Sequence, residues 1–264
     1  MSGVLEEAGV GDILRIASLT ELEDFERCVE LQLAVWGYSD SDLIPKRVFT
    51  VAQRIGGQVI GAFDGEAMVG FAMSFPGYRD GRAYMHSHML AVLPEYRNAG
   101  LGRRLKLAQR EDALARGIEL MEWTFDPLEI KNAYLNINRL GAIVRRYKAD
   151  FYGHSTSPLQ GGLPTDRLYA EWWLRSARVK RALGEEATAE PERLEVVERV
   201  EVPVAVYDWK SDDSQRKLAE ALQTKNRLAL ESAFARGLAV TGYERGPQGD
   251  GCFLLGPVKG LEER

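Results

Sequence analysis

Leu90-Ala91-Val92-Leu93-Pro94-Glu95-Tyr96-Arg97-Asn98-Ala99-Gly100-Leu101-Gly102-Arg103-Arg104 joins a strand to a helix through a glycine-containing loop. An apolar run from Ala83 to Leu93 is stopped by Pro94, and beyond Leu101 the residues Leu105, Ala108, Asp112 and Ala115 recur at helical period until Gly117. Glycines at 100 and 102 stand where backbone must approach a ligand closely. Free amides at a helix start, reinforced by the dipole and by neighbouring arginines, suit phosphate oxygens. Arg-x-x-Gly-x-Gly lacks the Lys-Ser/Thr ending of a P-loop and is shorter than the Gly-x-Gly-x-x-Gly of a dinucleotide fold. A helix that merely begins with two glycines has the same letters.

Working outward, Ile13 to Ala17 reads as a short strand. Thr20 and Glu23 have the spacing of a capping box opening a helix through Leu22, Phe25, Val29, Leu33 and Trp36, ended near Gly37. Gln58 to Phe63 and Ala67 to Phe75 flank Asp64-Gly65, which suits a type I′ hairpin, and a second turn at Asp80-Gly81 leads into the strand before the loop. After the helix, Ile118 to Phe125 reads as a strand, Asn132 to Leu140 as a short helix ended by Gly141, and Ala142 to Tyr147 and Leu168 to Leu174 as strands. Arg181 to Arg193 is a polar connection. Leu194 to Val206, a helix from about Asp213 to Arg236, and strands Leu238 to Glu244 and Cys252 to Leu255 make a smaller unit. The expected division is residues 1–178 and 190–264.

The segment Leu90 to Arg104 closely resembles the coenzyme A motif of the GNAT superfamily of N-acyltransferases. The resemblance follows element order over about residues 13 to 175 and is sharp over 86 to 105. It implies an α+β fold with a mixed, mostly antiparallel central sheet flanked by helices, to which this chain adds a smaller C-terminal α/β extension. It also implies acetyl-CoA or another acyl-CoA as co-substrate. The amides of Asn98, Ala99, Gly100, Leu101, Gly102 and Arg103 would then hold the pyrophosphate with Arg97 beside them, and Leu90 and Val92 would pair with the pantetheine arm as an added strand.

His86 and His88 stand two apart on the strand, so both side chains share one face with Tyr84 and Leu90. An amine attacking a thioester must first shed a proton, and a histidine titrating near neutral pH suits that work. His86-Ser87-His88-Met89-Leu90-Ala91-Val92 is similar to the His-x-His-x-Leu-Ala-Val of arylalkylamine N-acetyltransferases, whose histidines remove a proton through water. Packing, or a zinc pair in a hydrolase, also accounts for two such histidines.

Many GNAT enzymes place an acid tyrosine four residues before the glycine of a Leu-Gly-Phe-like motif. Here Leu140-Gly141-Ala142 is preceded at that position by Ile137, so Tyr134 becomes the substitute candidate, with Tyr147 and Tyr152 as others. Asn132, Asn136 and Asn138 can reach the cofactor or simply cap a helix. Glu122 and Asp126 close the preceding strand. Arg145, Arg146 and Lys148, followed by Phe151 and Tyr152, can read a carboxylate on acceptor or acyl group, or form a solvated strand edge.

The 264 residues carry a formal net charge of -5, which excludes a broad nucleic-acid surface. Cys28 and Cys252 lie outside any disulfide framework or zinc spacing, and are expected as buried thiols of a reducing cytoplasm. No apolar run reaches membrane-spanning length, and Glu6 and Glu7 replace the basic start of a signal segment. The expectation is a cytoplasmic acyltransferase acting on a small amine or an amino acid, with acetyl and succinyl donors both open, since the layout also resembles long bacterial GNAT proteins of which some are linked to N-succinylation of amino acids. The rival is a non-catalytic acyl-CoA sensor. The C-terminal unit can complete the fold, cover the acceptor pocket or mediate a homodimer.

Overall fold

The computed structural model describes residues 14–39, 41–185 and 195–258. The expected acidic N-terminal stretch, Ile13, residues 186–193 of the polar connection and Leu194 lie outside them.

Among the described residues, ten strands form one sheet in the order β1-β2-β3-β4-β5-β7-β6-β9-β10-β8. They are β1 Arg15–Ser18, β2 Gln58–Asp64, β3 Ala67–Arg79, β4 Arg82–Val92, β5 Leu120–Phe125, β6 Ile143–Lys148, β7 Arg167–Trp173, β8 Glu198–Val202, β9 Leu238–Arg245 and β10 Gly251–Pro257. Every neighbouring pair is antiparallel except β4 with β5. The helices are α1 Leu22–Trp36, α2 Lys46–Arg54, α3 Leu101–Ala115, α4 Ile130–Tyr134, α5 Ala177–Leu183, α6 Val206–Ser211 and α7 Arg216–Ala235. Helices α1 and α2 cover one face of β2–β4 through Phe25, Cys28, Phe49, Phe71 and Met89. Helix α3 covers the other through Leu101 and Leu105 against Ile60, Ala72 and Val92.

Several local expectations are corrected. The capping box at α1 does not form: Glu21 is the N-cap without a side-chain bond, and Thr20 Oγ1 donates to Glu21 instead. The buried stripe is Phe25, Cys28, Leu31 and Gln32, while Leu22 and Leu33 are exposed. Helix α2 was not expected at all. At the β2–β3 hairpin the central pair is Gly65-Glu66, and only Gly65 has positive φ (55°), as in a turn that needs glycine first. The type I′ pattern occurs at the next hairpin, where Asp80 and Gly81 both have positive φ, 52° and 77°. The short helix begins at Ile130, two residues early, and Leu135–Arg139 widens into a π turn, with Leu140 N–H bonding to the Leu135 carbonyl. Residues 181–183, expected in a connection, finish α5. Cys28 is buried, but Cys252 only half so.

The C-terminal strands enter the same sheet, because β9 pairs with β6 at Val144 and Val240. One apolar cluster accordingly holds Leu140 and Trp172 together with Val200, Leu230 and Phe253. Lys210 of α6 is buried between Asp126 (3.0 Å) and Glu129 (3.2 Å), Tyr207 accepts from Ile130 N–H, and Arg178 and Asn138 reach carbonyls of β9. The segment from Asp126 to Arg139 is thereby fastened from the C-terminal side.

Candidate active site

Strands β4 and β5 run parallel and pair only at Met85–Met121 and His86–Glu122. Beyond that point β4 keeps β3 on one side, down to Val92–Gly70, whereas β5 turns to β7 alone. Residues 87–92 of β4 therefore present an edge with no strand beside it. A sheet opened in this way offers backbone donors and acceptors to an extended ligand.

The loop lies at the open end of this edge. Asn98 and Gly100 have positive φ, 63° and 78°, and residues 97–100 are exposed. The first bond of α3 runs from Arg104 N–H to the Gly100 carbonyl, so the amides of Leu101, Gly102 and Arg103 precede any intrahelical partner. These donors and the strand edge fit an elongated molecule with phosphates at one end. Arg97 Nε is occupied by the Val92 carbonyl (3.1 Å), so this side chain braces the strand end. Arg103 Nε reaches the Arg139 carbonyl at 3.4 Å, linking the first turn of α3 to the π turn. Asn132 is exposed on α4.

His86 and His88 do share a face, with ring centroids 6.1 Å apart. Leu90 does not join them. Met73 pairs with Met89 and Ser74 with Ser87, leaving His88 as an extra residue in β4. Such a bulge shifts the alternation by one. Before it Ser87 faces α3 and bonds Gln109; after it Met89 faces the α1–α2 layer and Leu90 packs near Leu101 and Leu105. Burial, and then the neighbouring His88, pushes the His86 imidazole down to about 4; burial lowers His88 as well. Both rings are neutral at pH 7.

The histidine face continues across the sheet. His86 lies opposite Glu122, and Glu122 opposite Glu171; Thr124 lies opposite Tyr169 in the next row. In β6, Val144 pairs with Ala170 and Tyr147 with Leu168, so Arg145 and Arg146 together face Tyr169. This second bulge sends two consecutive arginines to one face. Arg146 bonds Glu122 at 2.6 Å, Arg145 bonds Glu171 at 2.5 Å, and Arg79 from β3 grips Glu122 at 2.5 and 3.1 Å. Burial raises the Glu122 pKa, but the Arg79 bonds and the Arg146 charge reverse that and hold it below the ordinary range. The carboxylates are buried while the three guanidinium groups stay 39–45 % exposed, so this face carries positive charge.

Two loops wall the face. Asp42, before α2, accepts from Thr156 N–H (2.7 Å) and Oγ1 (2.8 Å), and Ser157 Oγ donates to the Trp36 carbonyl. The loop so held carries Tyr152, whose ring is 6.5 Å from His88 and whose hydroxyl is 3.1 Å from Thr124 Oγ1. Phe75 stands 5.6 Å from His88 on the other side.

The remaining tyrosine candidates are elsewhere. Tyr134 packs on the main core, with Arg245 5.8 Å from its ring centre. Tyr147 donates to Asp166, and burial with that bond raises its pKa far above a usable acid. Ile137 is 1 % exposed in the same core, so the helix wall holds an aliphatic side chain where the motif expects a hydroxyl. Sequence reasoning missed Phe75, Arg79 and Asp42; only the pairing of β3 with β4 brings the first two to the site. Among the described residues no group of three or more His, Cys, Asp or Glu is placed to hold a metal.

A sheet parted beside a loop–helix start, with titratable groups at the parting, defines an acyl-CoA-binding acyltransferase. Residues 21–133 match the acetyltransferase (GNAT) family, so this part of the chain is a GNAT acetyltransferase domain, a kind of domain that uses acetyl-CoA. Among solved structures, smu.2055 from Streptococcus mutans is similar at 17% identity and a TM-score of 0.50, covering 61% of this chain and 99% of that one. The ribosomal-protein-S18-alanine N-acetyltransferase of Escherichia coli matches at 16% identity and 0.49, covering 69% and 98%. The putative acetyltransferase yncA of Salmonella typhimurium, solved with acetyl-CoA, matches at 15% and 0.48, covering 69% and 100%. No curated protein matches the chain. No described helix is long and apolar enough to cross a membrane.

Proposed function

We propose that the chain moves an acetyl or succinyl group from a coenzyme A thioester to the amine of a small molecule or an amino acid. The open edge of β4, lying between the start of α3 and the histidine pair, carries this reading. The pyrophosphate is held by the amides of residues 98–103, the pantetheine arm adds to β4 at Leu90 and Val92, and Asn132 faces it from α4. Arg97 supports the site through Val92.

An acceptor bound between Phe75, His88 and Tyr152 presents its ammonium to two neutral imidazoles, which take the proton through water. A β4 amide near Leu90 offsets the negative charge that develops on the carbonyl oxygen. Arg146 and Arg79 lie one row away and suit a carboxylate on the acceptor or on a succinyl group. Tyr134 is left with a packing role.

The sensor reading draws on Ile137, which supplies no acid. Release of free coenzyme A from acetyl-CoA and succinyl-CoA, measured against a panel of amines and amino acids, separates the two. Turnover with any pair supports the transferase; tight binding with no turnover supports the sensor. The same reading places the protein in the cytoplasm, without nucleic-acid partners; a homodimer remains testable by sedimentation.

A further inference from the structure

Lys106, on the second turn of α3, is 5 % exposed. Its amine donates to Ser87 Oγ at 2.7 Å and stands 3.8 Å from the centre of the Trp123 ring. Ser87 and Trp123 are the residues immediately beyond the last β4–β5 pair. The amine is thus fastened at the apex of the wedge on its α3 side, with the histidines on the other.

Hydrogen-bond direction follows from counting donors. The single Ser87 hydroxyl proton goes to Gln109 Oε1 (2.9 Å), so Ser87 must accept from Lys106. Other charged groups nearby are neutralised: Glu122 on β5 by Arg79 and Arg146, and Asp112 on α3 by Arg116. On α3, Arg110 turns to Glu185 and Arg103 to the Arg139 carbonyl. On β4 the titratable neighbour is His86, across the sheet. Among the described residues Lys106 has no carboxylate. Burial accordingly holds its pKa well below the ordinary lysine value. A cation with only a ring and a hydroxyl for company is costly to maintain unless an anion arrives.

We propose that Lys106 meets the sulfur of coenzyme A and, as an ammonium, stabilises the leaving thiolate. The proposal rests on the transferase reading and fills the role that Ile137 leaves open. The acceptor nitrogen bonds to the thioester carbon and gives up its second proton to water, the carbon–sulfur bond breaks with its electron pair on sulfur, and the Lys106 ammonium pairs with that thiolate. The thiolate takes its proton from solvent as coenzyme A departs.

The test is the thiol pKa of bound coenzyme A, read from thiolate absorbance as a difference against the desulfo-coenzyme A complex, which cancels Cys28 and Cys252. The wild type should lower that pKa by about 1–3 units, the effect of an opposite charge at close range. Lys106→Met, which keeps length and burial, should abolish the shift while leaving affinity for desulfo-coenzyme A unchanged. An unshifted thiol in the wild type overturns the proposal whether or not the variant folds, as does an equal shift in both proteins. Failure of the wild type to bind coenzyme A overturns the transferase reading and this proposal with it.

Discussion

His86 and Glu122 are the last residues that β4 and β5 share before the strands part. The pair sets a neutral base beside a buried carboxylate whose charge is already spent on Arg79 and Arg146. Glu122 therefore does little to raise the imidazole, and the net shift of His86 is downward, to about 4. If His86 accepts the acceptor's proton, kcat/KM should hold steady from pH 8 toward pH 5 as far as this group is concerned, then fall as the ring protonates. His86→Ala should lose that acidic limb and reduce kcat roughly 10²–10⁴-fold, the usual span for a general base. A pH–rate profile of both proteins decides it.

The same shift bears on stability. The unfolded chain takes up the His86 proton near pH 6.5 and the folded chain only near 4. On acidification the unfolded state binds it first, so this contribution is complete above about pH 6.5 and is lost as pH falls through 4. His86→Gln should flatten the decline in urea midpoint between pH 7 and pH 4. Parallel declines in the two proteins would assign the acid sensitivity to other groups.

Gly100 has φ of 78°, and a Cβ built there meets nothing within 4 Å. Space is no obstacle; the backbone is. A β-branched residue in this region costs about 1–3 kcal/mol, whereas asparagine tolerates it. Gly100→Val should raise KM for acyl-CoA tenfold or more with acceptor KM little changed, and Gly100→Asn should stay close to wild type. Two-substrate kinetics reads both.

The strand, loop and helix around Gly100 were legible because three signals agreed: an apolar run, a proline stop and a helical period. The histidine pair was legible in position but not in company. Period-two alternation puts Leu90 beside His88, and only the extra residue in β4 turns it away, a feature without a mark in the letters. Arg145 and Arg146 reach one face for the same reason. Helix α2 escaped notice because only Phe49 and Ala52 are buried in its nine residues. That β9 continues the sheet at β6 depends on which edge is left free, and a sequence does not state edges.

Tyr152 and Tyr134 make opposite predictions. Tyr152 faces His88 and bonds Thr124, so Tyr152→Ala should raise acceptor KM severalfold. Tyr134→Phe keeps the ring beneath Arg245 and should leave kcat within about twofold, since that packing is unchanged. A large kcat loss in Tyr134→Phe would return that residue to the chemistry.

Lys210 is the ammonium that ties α6 to the segment leaving β5. Its side chain is 6 % exposed and that of Asp126 11 %. Lys210→Met keeps the buried methylenes but strands the Asp126 and Glu129 carboxylates against each other. Removing one partner of a buried pair costs about 3–5 kcal/mol, mostly the penalty on the charge left behind. Because Asp126 also caps Leu128 N–H at the approach to α4, the damage should reach the helix carrying Asn132. The expected result is a lower urea midpoint together with a raised KM for acyl-CoA, and partial recovery of both in Lys210→Arg. A lowered midpoint with KM unchanged would confine the C-terminal unit to completing the sheet; movement of both would make it a support for the cofactor wall.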